Sequence, residues 1–83
     1  MANVDPTYSG NTSKLFPEIP PVHFEIMEDY SSGYTKKDIA ERKGISRQAV
    51  ARMLKECSDV FECESVEHVR VVYLNRRLKY FPL

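Results

Sequence analysis

The stretch from residue 35 to residue 55 predicts two short helices joined by a tight turn. Thr35 is suited to cap the first helix, because Asp38, three residues later, can return a hydrogen bond in a capping box. Gly44 is placed to end that helix, since glycine adopts positive φ without a steric penalty. Ser46 then suits the N-cap of a second helix. These signals predict a fixed bend between two helices.

The second of these helices has two unlike faces. Helical spacing gathers its apolar side chains on one side, and we expect this side in the core. It is formed by Ala49, Val50, Met53, Leu54 and Cys57. The opposite side carries long hydrogen-bonding side chains with one small residue among them. That polar face consists of Ser46 at its tip followed by Arg47, Gln48, Ala51, Arg52 and Lys55.

Positive charge is concentrated in this stretch. The chain of 83 residues has 12 basic and 12 acidic side chains and no net charge, whereas nucleic-acid-binding domains are usually basic overall. Residues 35–55, however, hold seven basic and two acidic side chains, against one and five in residues 1–34 and four and five in residues 56–83. Such a field attracts phosphate to one side of the molecule. A merely solvated helix face is the alternative, and the turn signals favour a binding face.

Upstream, residues 1–20 are predicted to form a flexible arm, because residues 1–21 are largely polar, contain four prolines and lack periodicity. Leu15, Phe16 and Ile19 are the exception, and docking in cis or trans is about as well supported as disorder. From Pro21 onward, apolar residues repeat at helical spacing and predict a supporting first helix. They are Val22, Ile26, Met27 and Tyr30.

Counted from Lys36, the chain resembles the helix-turn-helix motif of DNA-binding proteins. The motif's small fifth, glycine ninth, apolar tenth and β-branched fifteenth residues correspond to Ala40, Gly44, Ile45 and Val50. The resemblance implies that the third helix, residues 46–57, enters the major groove of double-stranded DNA. It implies base contacts from Arg47, Gln48 and Ala51, and phosphate contacts from Lys36, Lys37, Ser46, Arg52 and Lys55. One departure is Lys43, where the family usually has an apolar side chain.

After the third helix the apolar period changes to two, which predicts a β-hairpin. Residues 58–75 thus resemble the strand-wing-strand unit of small bacterial, phage and archaeal winged regulators. The expected fold is mainly α with a small β-hairpin (α+β): a three-helix core followed by a wing, over residues 21–83. The favoured pairing joins residues 61–65 to 69–74 and makes the wing acidic. The alternative joins 69–74 to 78–81. Under either pairing Arg76 and Arg77 are secondary phosphate candidates.

Other chemistry has little support in the sequence. Cys57 and Cys63 are predicted to be reduced packing residues, and His23 and His68 lie too far along the chain for a usual zinc spacing. There is no nucleophile-base pair, carboxylate pair or glycine-rich phosphate loop, so we expect no enzyme activity, no metal, no cofactor and no small-molecule ligand. Neither a signal-peptide pattern nor an apolar run of membrane-spanning length is present, so we expect a cytoplasmic location and no membrane partner.

These features predict a small transcriptional regulator that binds double-stranded DNA, with two or more copies on repeated half-sites. A phage excision or replication accessory protein would use the same contacts. An alternative of another class is a winged-helix module for protein–protein interaction, which the acidic hairpin and the zero net charge would suit.

Overall fold

The computed structural model describes residues 12–80, which contain four α-helices. They are α1 (Pro21–Ser31), α2 (Lys36–Lys43), α3 (Arg47–Val60) and α4 (His68–Tyr80). Helix α1 contacts each of the other three, while α3 packs against both α2 and α4. Within residues 12–80 no helix combines the length and the apolar character needed to cross a membrane.

The predicted bend between α2 and α3 is confirmed. The hydroxyl of Thr35 accepts a hydrogen bond from the Asp38 amide at 3.1 Å, and the Asp38 carboxylate accepts one from the Thr35 amide at 3.4 Å. Gly44 ends α2 in the left-handed region with φ 70°. The Ser46 hydroxyl accepts from the Ala49 amide at 3.0 Å and so caps α3. These local bonds set the direction in which α3 leaves the turn.

The predicted β-hairpin is wrong, and with it the α+β class and both strand pairings. Residues 12–80 contain no strand, and residues 69–74 lie within α4. Val69 and Tyr73, four residues apart, are both buried in the core, while Arg76 is half-buried on the same side. β-Branched residues lower helix propensity by less than ~0.7 kcal/mol each, so burial of one helical face outweighs them.

The alternation that suggested a first strand belongs to the turn after α3. Phe61 follows the last residue of the helix, and Glu62 takes a positive φ of 55°. The Cys63 amide then donates to the Ser58 carbonyl at 2.8 Å. Phe61 and Cys63 both pack against the core, which explains why apolar and acidic residues alternate there without a strand.

Two apolar clusters meet on α1. The first joins α1 to the bend and contains Ile26, Tyr30, Ile39, Ala40, Val50 and Leu54. The second joins α1 to α3, α4 and the leading segment, and contains Phe16, Ile19, Phe24, Met27, Cys57, Val69 and Tyr73. Because α1 contributes to both clusters, it holds the bend and α4 in one arrangement.

Residues 12–20 are docked in cis on the second cluster. Phe16 is 1% exposed and its ring stacks on Tyr73 with centroids 5.4 Å apart. Arg76 holds the segment, since it donates to the Leu15 carbonyl at 2.6 Å and forms a two-pronged ion pair with Glu18 at 2.9 and 3.1 Å. The remainder of the predicted arm, residues 1–11, lies outside the described residues, as do residues 81–83.

Candidate nucleic-acid interface

An open groove of about 640 Å³ lies between the start of α2, the exposed side of α3 and the start of α4. Five of the predicted site residues line it: Lys36, Lys37, Arg47, Gln48 and Ala51. Tyr30, Thr35, Glu67 and Arg70 complete the lining. The bend thus brings together side chains that are 15 residues apart in the sequence, counted from Lys36 to Ala51.

The groove is bordered by the first turns of two helices. Lys36 and Lys37 begin α2, and Arg47 and Gln48 begin α3. The N-terminal end of a helix carries partial positive charge, which adds to the charge of nearby cationic side chains. Because the two caps fix both first turns, the part of the groove between α2 and α3 is favourable for an anion.

The cations of the groove are available. Lys36, Lys37 and Arg47 form no ion pair with any residue that the structure describes. Glu67 is the single acidic side chain among the lining residues. The local charge is therefore positive although the whole chain is neutral, and phosphate would meet little competition from the protein's own carboxylates.

Two cations at the far end of the α3 polar face interact with carboxylates of the same helix. Lys55 pairs with Asp59 at 2.6 Å, and Arg52 approaches Glu56 at 4.0 Å. All four side chains are exposed, and such pairs contribute only ~0–1 kcal/mol. A phosphate could therefore displace either carboxylate with only a small loss of stability. Arg52 and Lys55 lie outside the groove lining, as does Ser46, whose hydroxyl serves the cap.

Arg70 is a groove residue that the sequence analysis missed. Its guanidinium carbon lies 3.8 Å from the centre of the Tyr30 ring, and its Nε donates to the Tyr30 carbonyl at 2.8 Å. The two terminal amino groups have no partner among residues 12–80. Arg70 thus presents donors to the groove from a fixed position. Arg70 reaches the groove because it lies near the start of α4. The sequence analysis assigned it to a strand of the expected hairpin and therefore did not identify it.

Lys43, the departure from the helix-turn-helix pattern, has a structural role here. Its ammonium group pairs with the Glu25 carboxylate at 2.8 Å and lies 4.0 Å from that of Asp29. Both acids belong to α1. The ion pairs therefore link the end of α2 to α1 at this position.

Arg76 and Arg77 do not join the groove. Arg76 is committed to Leu15 and Glu18, and the hydrogen bond from its guanidinium holds the pKa of the Glu18 carboxyl below its usual value. Arg77 lies beside Tyr73 and Glu28, where it acts to lower both pKa values against the opposing effect of burial. Burial dominates at Tyr73 and raises its pKa to about 12. Both arginines thus interact with the leading segment, α1 and α4, and neither lines the groove.

The cysteines and histidines form no metal centre in the described part of the chain. Cys57 is buried, Cys63 is half-buried, and both are free thiols. Burial raises the pKa of Cys57 to about 11, which keeps it protonated at neutral pH. His23 instead forms a 2.6 Å hydrogen bond to Glu56 between α1 and α3.

Comparisons of the chain with protein-family models, with curated proteins and with solved structures found no significant match. The likeness of residues 36–55 to the helix-turn-helix motif therefore stays a resemblance.

Proposed function

We propose that the chain binds double-stranded DNA in a sequence-specific manner, with α3 in the major groove, and that it acts as a small cytoplasmic transcriptional regulator and not as an enzyme. The observation that supports this most is the convergence of Lys36, Lys37 and Arg47 beside Gln48 in one open groove, where the three cations form no ion pair with residues 12–80. Transcription is preferred over excision or replication only because it is the commonest use of the motif.

The size and surface of α3 suit this role. Its 14 residues span about 21 Å at 1.5 Å per residue, and the DNA major groove, roughly 12 Å wide, admits one helix. Half-buried Ala51 lies on the presented face, so no bulky side chain there holds α3 away from the bases. Arg47 and Gln48 are the first two residues of α3, and base edges are usually contacted from this end of the helix.

The contacts divide into base readout and positioning. Arginine pairs well with guanine and glutamine with adenine, so we assign Arg47 and Gln48 to the bases. Lys36 and Lys37 are assigned to phosphate, because they lie at a helix start on the edge of the groove. Arg70, fixed on Tyr30, is assigned to phosphate from the other edge. Ser46, Arg52 and Lys55 are further phosphate contacts along α3.

An amide NMR titration of the full chain with a mixed-sequence duplex tests the proposal. At about 50 mM salt we expect shifts confined to the groove and to the α3 polar face, and at about 200 mM salt we expect them to fade. Lys14→Ala is the matched control, because Lys14 is an exposed lysine on a different surface. Lys36→Ala should weaken binding to every sequence and lower the salt slope by about one unit, whereas Lys14→Ala should change neither.

Sequence specificity is tested on a duplex selected from a random pool. We expect Arg47→Ala to weaken binding to the selected site by roughly 1–3 kcal/mol and to relax the base preference at one position. If Arg47→Ala and Lys36→Ala behave alike, the division between base and phosphate contacts is refuted. If the groove amides do not shift at low salt, DNA binding is refuted as well.

Protein docking is the second candidate function. Glu67 in the groove and the zero net charge favour it, because both reduce attraction to nucleic acid. A docking module would not require Arg47 and Gln48 together on one open face. Unmoved groove signals in the titration would make docking the leading hypothesis.

A further inference from the structure

Helix α4 is apolar on two opposite sides. Its inner side places Val69 and Tyr73 in the core. Its outer side exposes Val71, Leu74 and Leu78, which are 45%, 54% and 47% exposed. Spacings of three and four residues align these three on one face, which residues 12–80 leave about half exposed. We call Val71, Leu74 and Leu78 the outer stripe.

The outer stripe differs from the other exposed apolar side chains. Val22, Tyr34 and Val60 are also exposed, but they lie singly on α1, on the connection before α2 and at the end of α3. Single exposed apolar residues are normal on protein surfaces, whereas a contiguous apolar face marks a contact surface. The outer stripe is therefore a candidate contact surface for another protein segment.

The charges along α4 indicate what the occupant is. Glu62, Glu64 and Glu67 are exposed and precede the helix, while Lys79 is exposed near its end and forms no ion pair with residues 12–80. Arg76 and Arg77 also lie near the end, but they are held by residues of their own chain. A uniformly charged partner would be repelled at one end. A second α4 placed antiparallel brings the glutamates at the start of each helix beside Lys79 of the other, and its apolar stripe matches the first.

We propose that the outer stripe is a self-association surface, on which a second copy of this chain docks with its α4 antiparallel and Leu74 near the crossing point. The contact is isologous, so each copy contributes the same residues. Three stripe residues per copy are far fewer than the roughly 20–30 of a standard interface. The dimer is accordingly weak and exchanges rapidly with the monomer.

The arrangement has a consequence for the groove. Glu67 and Arg70 at the start of α4 line it, and the starts of two antiparallel helices lie at opposite ends of the pair. One dimer thus presents two grooves separated by at least the length of α4, about 20 Å for its 13 residues. This consequence rests on the proposed function, whereas the docking itself does not.

Sedimentation equilibrium of the full chain without DNA, from about 20 µM to about 1 mM, tests the docking. We expect the weight-average mass to rise reversibly from 9.6 kDa toward twice that value. Leu74→Lys should abolish the rise. Val22→Lys, which places the same charge at an equally exposed apolar site on α1, should leave it unchanged. Circular dichroism would check that both variants are folded.

A charge exchange tests the antiparallel arrangement. Lys79→Glu and Glu67→Lys should each weaken the dimer roughly threefold or more, and the double variant should restore the dimer affinity.

A mass that stays at 9.6 kDa up to 1 mM would overturn the proposal, as would a Leu74→Lys variant that associates like the wild type. If the double variant does not regain the dimer affinity of the wild type, the antiparallel geometry is overturned. If Leu74→Lys instead shifts the amide signals of residues 1–11 in a monomer, the occupant is the chain's own terminus and the proposal fails. None of these readouts involves DNA, so they stand apart from a failure of DNA binding.

Discussion

Replacing Phe16 with alanine tests whether residues 12–20 belong to the folded unit. The ring is 1% exposed, and its centroid lies 5.4 Å from that of Tyr73, 5.8 Å from Phe24 and 6.0 Å from Phe61. It is thus the centre of an aromatic cluster built from the leading segment, α1, the turn after α3, and α4. If the segment were only loosely attached, losing this ring would have little effect on unfolding.

The size of the effect follows from these contacts. Full burial of a phenylalanine side chain is worth about 1.5–3 kcal/mol. Favourable ring pairs contribute ~0.5–1.5 kcal/mol beyond the area they bury. We therefore expect Phe16→Ala to lower the free energy of unfolding by ~3 kcal/mol, at the lower end of the ~3–5 kcal/mol typical of buried phenylalanines. For a fold of this size that is a large share of a total of roughly 4–10 kcal/mol.

Urea unfolding of the full chain, followed by far-UV circular dichroism, measures this difference. Val22→Ala is the control, because Val22 is 57% exposed and its truncation should change the free energy by less than ~0.5 kcal/mol. Phe16→Leu gives a smaller loss and remains measurable if Phe16→Ala is largely unfolded. A loss below about 1 kcal/mol for Phe16→Ala would refute the docking of residues 12–20.

Two further predictions concern the ion pair between Arg76 and Glu18 and the glycine that ends α2. The Arg76 guanidinium lowers the pKa of Glu18 from its ordinary 4.5, so the ionised carboxylate stabilises the fold above about pH 4.5 and this contribution is lost as the pH falls through the lowered pKa. Glu18→Gln should thus lower the free energy of unfolding by ~0.5–1 kcal/mol at neutral pH and by nothing near pH 2, and an equal effect at both values would contradict the ion pair. Gly44 has φ 70° with open space around an added Cβ, so Gly44→Ala should lower the free energy of unfolding by ~1–2 kcal/mol through backbone strain alone, and Gly44→Asn by less. Equal thermal midpoints for the two Gly44 variants would show that strain is not the cause.

The bend between α2 and α3 could be predicted from the sequence because its determinants are local. A capping box, a glycine with positive φ and a second N-cap each act within four residues, and each fixes backbone torsions directly. The groove residues of α2 and α3 follow from the bend by helical periodicity. Lys36, Lys37, Arg47, Gln48 and Ala51 all line the groove, and their DNA-binding roles stay a prediction.

Helix α4 could not be predicted in the same way, because its determinants are distant. Apolar residues on both its inner and outer sides produce the nearly continuous run of residues 71–74, which carries no amphipathic period. Such a run fits a buried strand as well as a helix. The ring contacts of Tyr73 with Phe16 and Phe24 favour the helix over the strand, because the helix places Tyr73 on the side that faces α1.

The loss of the wing changes how the groove is built. A hairpin would have presented its cations on a loop, whereas Arg70 is presented by a helix and held by both the ring and the carbonyl of Tyr30. Arginine carries ~2 kcal/mol of rotamer entropy, and a guanidinium already fixed by the protein loses little of it on meeting phosphate. Tyr30 belongs to α1 and also packs against the bend. The same residue therefore positions the α4 cation and supports the α2–α3 unit, so the two edges of the groove are set by one helix and cannot move independently.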